Sequence, residues 1–245
     1  MSLYSNESIR QIPLESWKKD ALDKFEEKMT NQYRPFPCIP ATIGHQLNRF
    51  RYAFISKLDS KSSVVELAEI LKEYAESYRK IGAYTSLIIF YEPTQEQYSL
   101  EQYEQIFWTQ LNQVCEMDVV KWPSHIPTNP HDPLWEFCFH GEQLFVYCAT
   151  PSHENRLSRY FPYFLIAVTP RSVLENFYSS TSQSLKIKSK IRERLVEYDT
   201  ISIHPDLNSY GQNDNFEWKQ YFLHDDDTTL SKCPFHKYLK DNREE

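Results

Sequence analysis

LWEFCFHGEQLFVYCATPSHENRLSRYFPYFLIAVTPR, residues 134–171, is the stretch from which the rest of the chain can be read. Three segments within it, Leu134 to Phe139, Gln143 to Ala149 and Tyr163 to Val168, are dense in the aromatic and β-branched residues that fit a pleated, half-buried surface. They are expected to be strands. His140-Gly141 supplies a tight turn between the first two, because glycine takes positive φ without steric cost. Between the second and third lies Pro151 to Arg159, a loop carrying His153, Arg156 and Arg159. An imidazole and two guanidiniums at the end of a rigid sheet suit an anionic or metal-bearing ligand; the plain alternative is a solvated connection.

Outward from this stretch, helical spacing dominates. Leu14 to Thr30 places Trp17, Ala21, Leu22, Phe25 and Met29 at three- and four-residue steps. Pro35, Pro37 and Pro40 interrupt it, and a helical pattern resumes over Thr42 to Ser56. Val64 to Tyr78 follows, with Ser63 and Glu66 in capping-box relation. Thr85 to Tyr91 is a short apolar run expected to be an interior strand, and Leu100 to Cys115 is a helix capped by Ser99 with Gln102 three residues on. Val173 to Tyr178 and Leu185 to Tyr198 are also helical, the second carrying Lys186, Lys188, Lys190, Arg192 and Arg194. From Asp199 onward the chain loses periodicity and should wrap the domain as an ordered loop pinned by Tyr210, Phe216, Trp218, Tyr221 and Phe222. The expectation is one α+β domain over residues 1–245, with an antiparallel or mixed sheet of about four strands, packed helices and a long ordered C-terminal loop.

Composition narrows the function classes. With 40% apolar and 15% aromatic residues the chain has ample material for a core, whereas disordered chains are poor in aromatics. A net charge of −7 argues against a surface that neutralises phosphates, so nucleic acid is not an expected partner. No run approaches the roughly 18 apolar residues of a membrane span, and residues 1–30 lack the apolar stretch of a signal peptide. The expected location is the cytoplasm. The cysteines, Cys38, Cys115, Cys138, Cys148 and Cys233, form no CxxC pair, which excludes a zinc ribbon and points to reduced thiols. Glycines 44, 82, 141 and 211 are too few and too scattered for a Rossmann fingerprint or a P-loop.

His125, His131 and His140 lack metal-ligand spacing, and Asp225-Asp226-Asp227 reads first as a solvated acidic turn. A haem site asks for an axial His or Cys, an apolar pocket, and cations for the propionates. The chain holds these types in His153 with Arg156 and Arg159, and in Cys38 after a rigid Pro-Phe-Pro with Arg49 and Arg51 further on. Many haem-free proteins hold them too.

A set of ordered motifs carries the argument further: Pro35-Phe-Pro-Cys38 with Arg51-Tyr-Ala-Phe54, Trp135-Glu-Phe137 with Gly141, and His153 through Arg156-Leu-Ser-Arg159. Ile191-Arg-Glu-Arg194 with Tyr198-Asp199, His204-Pro-Asp-Leu207 with Tyr210-Gly211, Glu217-Trp-Lys-Gln-Tyr-Phe-Leu223 and Cys233-Pro-Phe235 continue it. Together they resemble the YqcI/YcgG family, some of whose members are haem-dependent N-hydroxylases of arginine or related guanidino compounds. Asn208-Ser209 departs from the glycine-bearing turn expected there. The resemblance implies haem, dioxygen, a small guanidino or amino substrate and a redox partner protein, for which the basic face of residues 185–198 is a docking candidate. Within that reading His153 is the first candidate iron ligand, with Cys38 and His204 as alternatives, and Arg156 and Arg159 meet the propionates. Glu217, Asp199 and Trp218 are the candidate contacts for a guanidinium. Each has a plain counterpart: Glu217 as the buried partner of an arginine, Asp199 as a turn former at a helix end, Trp218 as a core anchor. A haem-binding or sensing protein without turnover, and a cofactor-free interaction module, are the rival functions.

Overall fold

The computed structural model describes residues 3–58, 60–177 and 181–235. In chain order, α1 (Asn6–Ile9), α2 (Ser16–Thr30) and α3 (Ile39–Gln46) lead to β1 (Arg51–Ile55), and α4 (Lys61–Ile81) leads to β2 (Leu87–Tyr91). Then come α5 (Leu100–Glu116), β3 (Cys138–Phe139), β4 (Glu142–Ala149), β5 (Leu165–Pro170), α6 (Arg171–Phe177) and α7 (Thr181–Tyr198), with one 3-10 turn at Glu217–Gln220. The sheet has five strands, one more than the sequence suggested, in the order β1-β2-β5-β4-β3. Only β1 and β2 run parallel, joined across α4 as a βαβ unit; every other neighbouring pair is antiparallel. The class is α+β.

Side-chain alternation splits the core into two halves. Leu87, Ile89 and Tyr91 of β2 pack with α4 and α5 on one face, while Ile88 and Phe90 pack with Phe25 and Met29 of α2 on the other. This explains why β2 is an unbroken apolar run: both of its faces are covered. The hairpin joining β3 to β4 turns through His140 and Gly141, at φ +52° and +77°, as the two-residue turn requires. Ser99 and Gln102 close a capping box on α5, whereas α4 is capped by Ser60, three residues before the expected Ser63.

The expected helix over Thr42 to Ser56 is corrected. Helix α3 ends at Gln46, Asn48 turns the chain at φ +55°, and Arg51–Ile55 is a strand bonded to β2. Tyr52 and Phe54 face the α2 side and Ala53 and Ile55 the α4 side, a period of two that five residues are too few to separate from a helical stripe. Leu134 to Phe139 also shortens: Cys138 and Phe139 alone pair as strand, and the amide of Phe137 is taken by the Tyr221 hydroxyl at 3.0 Å instead. The expected strand at Tyr163 starts at Leu165 and runs on to Pro170. Tyr178, the expected end of the helix from Val173, lies outside the described residues. Among the described residues no helix is long and apolar enough to cross a membrane. All five cysteines are free thiols, with Cys138 and Cys148 buried on adjacent strands.

Candidate functional site

The loop Pro151 to Arg159 meets the C-terminal tail in a latch that uses nearly every polar group in it. His153 is buried; its Nδ1 lies 2.9 Å from the Thr150 hydroxyl and its Nε2 2.8 Å from the Leu223 carbonyl oxygen. The carbonyl can only accept, so Nε2 carries the proton and Nδ1 accepts from Thr150. Burial holds the imidazole neutral, with its pKa lowered to about 4. The Arg156 guanidinium donates to the carbonyls of His224, Ser202 and Asp226, and Arg159 donates to those of Tyr221, Gln220 and Cys148 while stacking 4.2 Å over Tyr147. Backbone amides of Glu154, Asn155 and Arg156 converge on the carboxylate of Asp225, so the loop's own backbone is a nest for this acidic side chain. Asp199 accepts from the amide and hydroxyl of Ser158 at 2.6 and 2.9 Å. The structure thus brings His153, Arg156, Arg159 and Asp199 together, and joins them to the chain itself.

Glu217 and Trp218 belong to a second cluster. Arg171, at the start of α6, lies between two buried carboxylates: its Nε is 2.7 Å from Glu136 Oε2, its Nη2 is bonded to Glu136 Oε1, and the same Nη2 is 2.6 Å from Glu217 Oε1. Its guanidinium lies 3.8 Å from the Tyr210 ring centroid, and Asn215 and Gln220 complete the network around Glu217. Burial pushes Glu136 up to about 7, against the pull of Arg171. Trp218 is buried beside Trp108, and the indole N–H groups of Trp108, Trp135 and Trp218 have no acceptor among the described residues. Glu217 therefore binds a guanidinium, and that guanidinium is the chain's own.

For haem, an axial donor needs a free lone pair and the propionates need cations with free N–H groups. His204 is buried like His153, with Nε2 3.3 Å from the Thr228 carbonyl and Nδ1 accepting from the Asp206 amide. Cys38 precedes α3; burial pushes its thiol up, while the Ala41 amide and the guanidiniums of Arg159 and Arg194 pull the other way and do not win. Arg156 and Arg159 are buried and each donates to three main-chain carbonyls. The two histidines, with both ring nitrogens engaged, and these buried arginines do not, as arranged, fit a haem. Among the described residues no cluster of three or more His, Cys, Asp and Glu side chains is placed to hold a metal ion.

Open space lies elsewhere, under the N-terminal strap. A cavity of about 410 Å³ sits between α1, α2 and β1, floored by Ile9, Leu22, Phe25 and Tyr52. Arg10, Lys19, Asp23 and Glu26 line it with two cations and two carboxylates. The Glu26 Oε2 is 3.1 Å from Nε2 of His45, a buried imidazole on α3 whose Nδ1 has no partner among the described residues. Gly44 lets α3 pack against the turn before β2, since a Cβ there would stand 2.1 Å from the Tyr84 carbonyl oxygen. The Tyr52 phenol is raised chiefly by burial and further by Glu26, with Arg10 opposing, so its hydroxyl feels charges of both signs. Glu26 and His45 sit on separate helices joined by a proline-rich turn, and no spacing in the sequence announces them. Glu136 could have been found: it is a charge inside an apolar run, with Arg171 at the far end of the same stretch.

The family model described as YqcI/YcgG family matches residues 25–236. The chain belongs to that family. It is 40% identical to the YqcI protein of Bacillus subtilis over 240 residues, covering 96% of this chain and 94% of that one. Identity to the YcgG protein of the same organism is also 40%, over 243 residues, 97% of this chain and 96% of that one. A more distant family relative, from Streptomyces lavendulae, is named "Putative N(omega)-hydroxy-L-arginine synthase DcsA" and is 29% identical over 240 residues, 95% of this chain and 89% of that protein. No solved structure matches the chain.

Proposed function

We propose that this protein N-hydroxylates a small guanidino or amino compound of the arginine type. The observation that carries the reading is the alignment, over 95% of the chain, with the relative named for N(omega)-hydroxy-L-arginine synthesis. In that reaction one atom of dioxygen enters an N–H bond and the other leaves as water, with two electrons and two protons supplied from outside. Haem is the cofactor that the resemblance implies; His153 and His204 have both ring nitrogens engaged within the chain and burial holds the Cys38 thiol protonated, so the reading stands on substrate class and reaction type. Electrons would come from a redox partner. The basic face of α7 is its docking candidate, although Lys188, Arg192 and Arg194 already bond to Ser209, Leu207 and Phe36.

The test is product analysis. Protein purified from cells given a haem precursor is incubated with L-arginine, a reductant and labelled dioxygen, and the product gains one labelled oxygen atom. Absence of that product across arginine, agmatine and lysine overturns the proposal. The engaged donors of the latch favour a second reading, a cofactor-free binding protein, whose signature is a preparation that stays colourless after haem addition.

A further inference from the structure

We infer that the cavity under the N-terminal strap is a binding site for a free amino acid with a cationic side chain, recognised at both ends. The inference rests on the proposed substrate class and adds the place and the mode of recognition. At about 410 Å³ the cavity falls in the range of small-molecule sites, roughly 300–1,000 Å³. Its floor is apolar. Among the described residues the Arg10 side chain bonds to Asn6, the Glu26 carboxylate bonds to His45, and Lys19 and Asp23 make no ion pair. Four charges that share one hollow without cancelling one another are suited to a ligand that carries both signs.

The spacing of those charges sets the ligand's length. Lys19 and Glu26 stand seven residues apart on α2, about 10 Å along its axis, and Asp23 lies between them. An extended arginine or lysine spans such a distance, with its α-carboxylate toward Arg10 and Lys19 and its cationic head toward Glu26. Glu26 is the residue prepared for that head. The donor at His45 Nε2 fixes one carboxylate oxygen and leaves the other to accept from a guanidinium, and the ring is itself held by Phe25 and Phe50 at centroid distances of 6.0 and 5.9 Å. His45 is thus a positioning residue acting through Glu26. The strap residues Ile12 and Leu14 close one side, dividing this hollow from a neighbouring one of about 220 Å³.

The test is calorimetric titration of the full chain with L-arginine and with agmatine, which keeps the guanidinium and lacks the carboxylate. Wild type should bind L-arginine at least about tenfold more tightly than agmatine, one charge-assisted contact's worth. Glu26→Gln should weaken both ligands by about tenfold, and Arg10→Met with Lys19→Met should erase the preference for arginine. His45→Asn, which keeps a donor toward Glu26, should bind better than His45→Ala. Circular-dichroism melts check that each variant is folded. Equal affinity for the two ligands in wild type, no binding of either, or unchanged affinity in a folded Glu26→Gln protein overturns the assignment. Hydroxylation that persists unaltered in Glu26→Gln removes this site and spares the proposed function, whereas arginine bound here without any hydroxylated product does the reverse.

Discussion

The latch and the cleft hold similar residue types and put them to opposite use. In the latch an imidazole, two guanidiniums and two carboxylates are engaged by backbone amides, carbonyls and hydroxyls, so most of their bonding capacity goes into closing the C-terminal tail onto the sheet. In the cleft two cations and two carboxylates stand around a hollow with most of their capacity unused. Residue type alone does not mark a binding site; what marks it is the bonding capacity that folding leaves over. The same comparison covers Glu217, whose affinity for guanidinium is met internally by Arg171.

The two regions should therefore respond differently to substitution, and the largest effect belongs to the latch. Arg159→Met removes a buried charge that donates to three carbonyls, of which that of Tyr221 keeps the Cys148 amide as a second partner. A loss of about 4 kcal/mol is expected, read by urea denaturation. A loss below about 1 kcal/mol would mean that the tail is held by its aromatic side chains alone.

Next come two opposing pH terms of smaller size. Glu136 is pushed up from 4.5 to about 7, so its stabilising contribution is complete below 4.5 and is lost as pH rises toward 7. His153 is pushed down from 6.5 to about 4, so its contribution is complete above 6.5 and is lost as pH falls toward 4. Each is worth on the order of 3 kcal/mol, and in the wild type they offset one another between these limits. Glu136→Gln should leave a stability that climbs with pH over that window, and His153→Asn one that declines. Parallel profiles for the two variants would break the assignment. A further step down, His153→Ala leaves the Thr150 hydroxyl and the Leu223 carbonyl without their partner, at about 1 to 2 kcal/mol near neutral pH.

Much of the fold was legible because its signals are local. The β4 strand differs from its expected range by one residue, the His140-Gly141 turn follows from glycine chemistry, and α5 carries its cap in Ser99 and Gln102. Where tertiary pairing decides, the sequence misled. Arg51–Ile55 is a strand because β2 lies beside it, and the β3 ladder stops short because Tyr221, more than eighty residues away, takes the amide of Phe137, whose carbonyl alone still bonds β4. The site was less legible for the same reason. His153, Arg156 and Arg159 share one loop, but most of their partners are carbonyls of residues 220–226, and a backbone carbonyl has no sequence signature. Glu26 and His45 meet only once α2 and α3 have packed.

The smallest expected effect is the most discriminating. Lys19 and Asp23 are exposed, and neither makes an ion pair among the described residues, so Lys19→Met and Asp23→Asn should each change stability by no more than about 0.5 kcal/mol. Addition of L-arginine should then raise the melting temperature of wild type more than that of Lys19→Met, because a ligand stabilises the fold in proportion to its affinity. If the cleft charges were structural, like those of the latch, the substitutions would lower stability in the absence of any ligand and the response to arginine would not separate the proteins. Neutral stability combined with a weakened ligand response is the result that a preformed but unsatisfied site requires. It follows from the same physics that makes Arg159 costly to remove: a polar group matters to the fold when its partners are in the fold, and to binding when they are not.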